Sequence, residues 1–339
     1  MSITEFTQLA DKARDAGAKA WAEGDAQCPY ASAELVAAWT AGWDGAQQRA
    51  LGHRTEIPAE DGIYTDITDE LYHSDRGSLS SSGARLLLEP GGPAVFAHRR
   101  AHPPAPSDTF DLGHAVHTAI LGEGGVFVDT GFDAWTTKAA KEARDAAREA
   151  GRTPLKSADY ARVMAMRDAV LAHPLGEILF ADGQPELSIY HHDEHTGVRL
   201  RARPDWMPGG DRPMIVDLKT TVSADPAEFV RKSVPAYGYH QQDPWYRDAV
   251  RVAGLGHDPQ FLFVLVEKTA PHLVSVVELP TEAVALGRFL NRLAVDLYAQ
   301  CTESDEWPGL PAVIYRSDLP PWAYTAAEST IRRTERTLA

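Results

Sequence analysis

The chain has 339 residues, 44% hydrophobic and 24% charged, which suits one large globular domain or two ordinary ones. Its 33 basic and 48 acidic residues give a net charge of −15, which argues against a protein that coats nucleic acid nonspecifically through many Lys/Arg–phosphate contacts. No apolar stretch approaches the ~20 residues that span a bilayer, and two distant cysteines, Cys28 and Cys301, exclude a four-cysteine iron–sulfur cluster and disfavour a zinc site or a disulfide framework.

The start, Met1-Ser2-Ile3-Thr4-Glu5, lacks a signal-peptide pattern, so the expected setting is cytoplasmic, with no cofactor except metal. Residues 1–50 are Ala-rich and read as a helical hairpin, with stretches Glu5–Glu23 and Ala33–Ala50 around Cys28-Pro29-Tyr30. Residues 51–77 read as a linker and entry segment. A third unit, 78–330, holds the remaining pattern. Ser80-Ser81-Ser82-Gly83 supplies hydroxyl caps for a helix over Ala84–Leu88, which Pro90 and Gly91-Gly92-Pro93 end. Phe110–Leu121 is an apolar helix carrying His114 and His117, and residues 136–150 and 157–173 form two more helices.

Strands are expected over Glu186–His192, Val198–Trp206 and Met214–Thr220. Arg199, Arg201 and Arg203 alternate along the second and share one face, either solvated or part of a basic channel. Lys138, Lys141, Arg144 and Arg148 recur at helical spacing, the pattern of a solvated helix face. Residues 225–254 are helical with a break at Pro235. A hairpin over Phe261–Glu267 and His272–Leu279 follows, then a long amphipathic helix over Thr281–Gln300. Helices, a strand cluster, then helix, strands and helix give an α/β core with a mixed central sheet flanked by helices.

The chemistry concentrates on the third strand. Alternate side chains of a strand share a face, so Asp217 and Lys219 point one way while Leu218 points into the core. Asp205 lies on the preceding apolar run, across the turn-rich segment 208–213. A hairpin of this kind brings two carboxylates and an ammonium to one spot. Two carboxylates hold Mg²⁺, a hard cation that prefers oxygen ligands. A nearby lysine orients or helps deprotonate a water aimed at phosphorus, as metal-assisted phosphodiester hydrolysis requires. Gln242 and Tyr246, four residues apart, share a helical face. The competing readings are a solvated ion pair at a strand end, a satisfied core histidine at His117, a solvated Glu186 and a surface His240.

Arg203-Pro204-Asp205 followed by Asp217-x-Lys219 resembles the PD-(D/E)xK nuclease motif. Further matching segments are Leu79-Ser80-Ser81-Ser82-Gly83, Leu112-Gly113-x-x-x-His117, Asp217-Leu218-Lys219-Thr220-Thr221 and Tyr239-His240-x-Gln242-x-x-x-Tyr246. Together, over about residues 60–325, they resemble the RecE-type (exodeoxyribonuclease VIII-like) exonucleases of phages and prophages, within the RecB-like group. The resemblance implies a restriction-endonuclease-like core. It implies that His117, Asp205 and Asp217 are metal ligands, with the Leu218 carbonyl a further one. It makes Lys219 the catalytic lysine and gives Gln242 and Tyr246 the task of positioning the DNA strand. The implied cofactor is Mg²⁺, with Mn²⁺ also suited. The implied activity is 5′ to 3′ degradation of linear duplex DNA from its ends. The 3′ single strands so exposed pass to a RecT-like annealing protein for recombination. A ring-shaped homo-oligomer holding DNA would offset the acidic charge.

Gly24 … Cys28-Pro29-Tyr30 … Trp39-Thr40-Ala41-Gly42-Trp43 is similar to the ribosome modulation factor family, a small helical hairpin that contacts RNA; an ordinary helical hairpin is the alternative. Two rival functions stay open. One is a RecB-like or CRISPR-associated nuclease of other polarity or substrate. The other is a non-catalytic nucleic-acid or ribosome-associated protein.

Overall fold

In the computed structural model the described residues are 54–102, 108–122, 126–210 and 212–338, with isolated positions at 12, 16 and 52. The helical hairpin expected over residues 1–50 lies outside them. In chain order, β1 (Gly62–Tyr64), α1 (Asp69–Ser74), β2 (Leu79–Ser80), α2 (Ser81–Leu87) and α3 (Gly92–Ala101) come first. Next are α4 (Asp108–Leu121), β3 (Phe127–Asp129), α5 (Lys138–Glu149), β4 (Thr153–Leu155), α6 (Ser157–Ala172) and α7 (Pro174–Leu179). Five strands follow: β5 (Gly183–Pro185), β6 (Ser188–His192), β7 (Arg199–Ala202), β8 (Trp206–Pro208) and β9 (Met214–Thr221). Then α8 (Pro226–Glu228), a π-helical turn (Phe229–Ser233) and α9 (Val234–Tyr237) lead into α10 (Tyr239–Val252). The order closes with β10 (Gln260–Glu267), β11 (Val274–Val277), α11 (Thr281–Ser304) and α12 (Pro321–Leu338). None of the described helices is long and apolar enough to cross a membrane.

The central sheet has the order β11-β10-β9-β8-β5 and is mixed: β9 and β10 run parallel, the other pairs antiparallel. The middle strands β9 and β10 are covered on both faces, so their side chains feed two cores by alternation. Ile215, Phe261, Phe263 and Leu265 pack toward α10 and α11. Val216, Leu218, Val264 and Val266 pack toward α4 and α6. A second sheet, β1-β6-β7-β2, stands beside the first.

The single strand expected over Val198–Trp206 is two strands in two sheets. β7 ends at Ala202, Pro204 lacks the N–H a ladder needs, and β8 starts at Trp206 in the central sheet. Asp205 therefore sits at the crossing from one sheet to the other.

The stretch expected as a linker carries β1 and α1. β1 pairs with β6, and Tyr72 of α1 is buried beside Ile67 and Tyr190. Arg201 and Arg203, whose face could have been solvated, are each only 7% exposed and bind this segment. Arg201 pairs with Asp75 at 3.0 Å, and Arg203 donates to the Ile67 carbonyl and the Ser188 hydroxyl. The Tyr72 ring lies under both guanidinium groups, at 5.0 and 4.1 Å from its centroid. Arginine count alone carries no signal of this, because Asp75, Tyr72 and the Ile67 carbonyl come from more than a hundred residues upstream.

Helix α10 contains Pro244, which cannot hydrogen-bond the His240 carbonyl one turn back. That carbonyl faces α11 at Gly287, where a Cβ would stand 1.5 Å from it. One turn on, Asn291 Nδ2 donates to the Gln241 carbonyl at 2.8 Å. The carbonyls disturbed by the proline are thus met by a missing side chain and by an amide. Gly287→Ala is expected to push α10 and α11 apart and cost about 1–3 kcal/mol or more, the range for overpacking a filled core. Urea unfolding of the variant checks this; wild-type stability would contradict the packing described.

Candidate active site

Asp217 sits mid-strand on β9 and is fully buried on the α10 face, among residues that are otherwise apolar. Its two oxygens are met from different sides. Gln242 Nε2 of α10 donates to Oδ1 at 2.5 Å. Lys219 Nζ, two residues along the same face, approaches Oδ2 at 2.5 Å. Oδ2 is nonetheless buried without a hydrogen-bond donor in good geometry. Burial, tempered by the Lys219 charge and reinforced by Asp205, pushes the Asp217 carboxyl up to about 7. Burial opposes the charge on Lys219, but the Asp217 and Asp205 carboxylates outweigh it and hold its pKa above the ordinary value. The Tyr239 ring lies 5.0 Å from the ammonium.

Asp205 reaches the same place from the sheet crossing. Its Oδ2 accepts the Leu218 backbone N–H at 2.9 Å, which ties the crossing to the middle of β9. His117, on α4, brings Nδ1 to 3.5 Å from that same oxygen and hydrogen-bonds the Leu218 backbone. Burial lowers the His117 pKa, with Asp205 pulling the other way. The neutral imidazole is the form that ligates metals. Tyr246, one turn beyond Gln242, faces a cleft of about 500 Å³ together with His117, Asp205 and Glu186. Burial raises its hydroxyl pKa well above the usual value.

Glu186 adopts a left-handed conformation, φ 44°, between β5 and β6. For a non-glycine residue this costs roughly 1–2 kcal/mol. Its N–H donates to the Asp205 carbonyl at 3.0 Å and its carboxylate lies 3.5 Å from Arg203. His240 lies instead in a second cleft of about 750 Å³, which also contains Arg85, Arg99 and Arg100. His73 borders both clefts. The helices thus bring His117, Asp205, Asp217, Leu218, Lys219, Gln242 and Tyr246 together, while His240 stands apart. Sequence reasoning passed over Tyr239 as a site residue, although it belongs to the quoted Tyr239–Tyr246 motif. It also passed over Arg85, whose neighbourhood only folding assembles.

Among the described residues no three His, Cys, Asp or Glu side chains stand together as a ready cage. The donor set nevertheless fits a hard divalent cation. Asp217 Oδ2, the Asp205 carboxylate, the Leu218 main chain and the His117 imidazole gather at the middle of β9. Mg²⁺ is held by one or two carboxylates, with water and substrate oxygens completing its shell, so a full protein cage is not required.

A model of the PDDEXK-like domain of unknown function (DUF3799) matches residues 88–312. Among solved structures, that of a protein provisionally named an exonuclease, from Eubacterium rectale, is similar at 14% identity. It covers 77% of this chain and 98% of its own, with a TM-score of 0.53, and shows the fold. A phage-related exonuclease from Haemophilus somnus 129PT is similar at 10% identity, covering 68% of this chain and 96% of its own, with a TM-score of 0.29. Comparison with curated proteins gives no match.

A protonated Asp217 cannot ligate a cation, so metal binding must strengthen as pH rises toward the group's pKa of about 7. Mn²⁺ affinity, titrated calorimetrically, is expected to rise by about tenfold per pH unit below that value and to level off above it. Asp217→Asn should bind more weakly and lose this dependence. Wild-type affinity that is flat between pH 5.5 and 7 would count against Asp217 as a ligand.

Proposed function

The chain belongs to the family of PDDEXK-like domains whose model spans two thirds of it, and we propose that it is a metal-dependent deoxyribonuclease acting on the ends of linear duplex DNA. The observation that carries this reading is the fully buried Asp217 carboxylate, held by Gln242 and Lys219 beside Asp205 and His117. Burying a carboxylate in a sheet core costs stability even with partners, and strongly perturbed groups of this kind cluster at functional sites.

In this reading Asp205, Asp217, the Leu218 carbonyl and His117 hold Mg²⁺ or Mn²⁺. When bound, such a cation supplies Lewis-acid polarisation of the phosphodiester. Lys219, kept charged by its carboxylate neighbours, orients the attacking water and stabilises negative charge growing on the phosphate. Gln242 fixes the rotamer of Asp217 through its amide. Tyr246 forms part of the cleft wall against which the strand lies. The choice of a 5′ to 3′ direction, the handing of 3′ strands to a RecT-like annealing protein and a ring homo-oligomer follow from the RecE-type resemblance of the motifs.

Asp217→Ala and Lys219→Ala should each lower cleavage of end-labelled linear duplex by a factor of about 10² or more, with the fold retained by circular dichroism. Near-normal cleavage by a folded Asp217→Ala protein would overturn the reading. Labels at the 5′ and 3′ ends report the direction, and equal digestion of closed circles would replace the exonuclease by an endonuclease.

His117→Ala should retain stability but require a higher Mn²⁺ concentration for half-maximal cleavage. In crystals soaked with Mn²⁺, His117 is expected within about 2.5 Å of a metal that Asp205 and Asp217 also bind, slightly beyond the usual metal–nitrogen distance. A ring turned away from that metal would remove it from the ligand set.

A further inference from the structure

The buried or half-buried arginines near the site are mostly committed. Arg201 pairs with Asp75, Arg203 with Glu186 and Asp69, and Arg247 with Asp243. Arg85, on α2, differs. Its Nη1 is buried with no hydrogen-bond partner, and among the described residues no carboxylate forms an ion pair with it. A guanidinium nitrogen shut away without an acceptor is costly to keep.

The surroundings show where an acceptor belongs. Arg85 is close enough to Asp217, Tyr239 and Tyr246 for its charge to act on all three. It also borders the 750 Å³ cleft, where Arg76, Arg99, Arg100 and His240 outnumber the acids Asp75, paired with Arg201, and Glu89. That concentration of cations stands against a chain whose net charge is −15. The backbone makes room for it: Gly238, at φ 65°, joins α9 to α10, and a Cβ there would meet Arg85 Cδ at 2.5 Å. The turn is thus shaped so that the Arg85 side chain can pass beneath it toward Asp217.

We propose that Arg85 binds a phosphate of the DNA strand undergoing cleavage, and that this strand reaches Asp217 and Lys219 through the basic cleft. A guanidinium offers a planar pair of donors that matches phosphate oxygens, and such an anion both supplies the acceptor Nη1 lacks and suits a groove rich in arginine. His73 lines both clefts, so a strand held by Arg85 would pass beside it on the way to the cleft of His117 and Tyr246. The inference rests on the nuclease reading, and it adds a substrate contact to that site.

The test uses the full chain with Arg85→Met, which keeps the apolar stem, and Arg85→Lys, which keeps charge but loses the fork. Affinity for a short linear duplex is measured with Ca²⁺ in place of Mg²⁺ over a range of salt, and cleavage with Mg²⁺ under single-turnover conditions. Arg85→Met is expected to bind DNA at least about tenfold more weakly and to lower the salt slope by about one, the loss of one phosphate contact. Arg85→Lys should recover part of the DNA affinity. If folded Arg85→Met binds DNA with wild-type affinity and salt slope, the inference is overturned. If Arg85→Met does not fold, Arg85→Lys alone decides: loss of the fork should weaken DNA binding and lower the single-turnover rate, and wild-type values of both overturn the inference. A wild-type protein that neither binds nor cleaves linear duplex overturns the nuclease reading, and the inference with it. A wild type that cleaves while both variants match it overturns the inference alone.

Discussion

The rest of the site depends on one buried carboxylate held from two sides. Asp217 lies on the α10 face of β9, where its neighbours at 215, 261, 263 and 265 are all apolar. Its charge is disfavoured there, and the Gln242 amide and the Lys219 ammonium are the direct contacts that offset the loss of water. Each of those two contacts imposes a condition on the fold. Gln242 reaches Asp217 only if α10 lies flat across the sheet. Lys219 reaches it only if β9 is extended through residue 219. The packing of α10 against α11 and the parallel pairing of β9 with β10 serve those two conditions.

The opposite side of β9 completes the arrangement through its backbone. Leu218 buries its side chain with α4 and α6, while its N–H and its carbonyl region engage Asp205 and His117. The strand thus presents chemistry in two ways at neighbouring positions. Residues 217 and 219 contribute side chains to one face, and 218 contributes main-chain atoms between them. Asp205 arrives because the chain changes sheets at Pro204, and Arg203, one residue earlier, anchors that crossing to the Tyr72 segment. The crossing is therefore braced immediately before the residue that must be aimed.

The sequence makes the local parts legible. Alternation places Asp217 and Lys219 on one face, the Ser80 cap appears where the hydroxyl run stands, and the four-residue spacing of Gln242 and Tyr246 matches one helical face. What depends on distant partners is not legible. The Arg199–Arg203 alternation is compatible with a solvated strand, and only Tyr72 and Asp75, far upstream, turn its last two arginines inward. Nor does periodicity reveal that Val198–Trp206 divides between two sheets. Pro204 was the available signal, because a residue without an N–H rarely continues a central strand. Residues 51–77 read as a linker because their apolar residues show no helical or strand period; their burial comes from a small cluster of Ile67, Tyr72 and the distant Tyr190, and from guanidinium groups stacked on Tyr72.

The contact of the Pro244 turn with Gly287 has a consequence for how such chains can vary. The two positions are in different helices and share no chemistry. A Cβ at 287 would stand 1.5 Å from the His240 carbonyl oxygen and 2.5 Å from its carbon, so the obstacle is the backbone of α10 itself. Restoring an N–H at 244 would not clear it, and bulk at 287 is admissible only if the two helices part. The seam therefore holds position 287 to glycine for as long as α10 carries Gln242 across the sheet to Asp217.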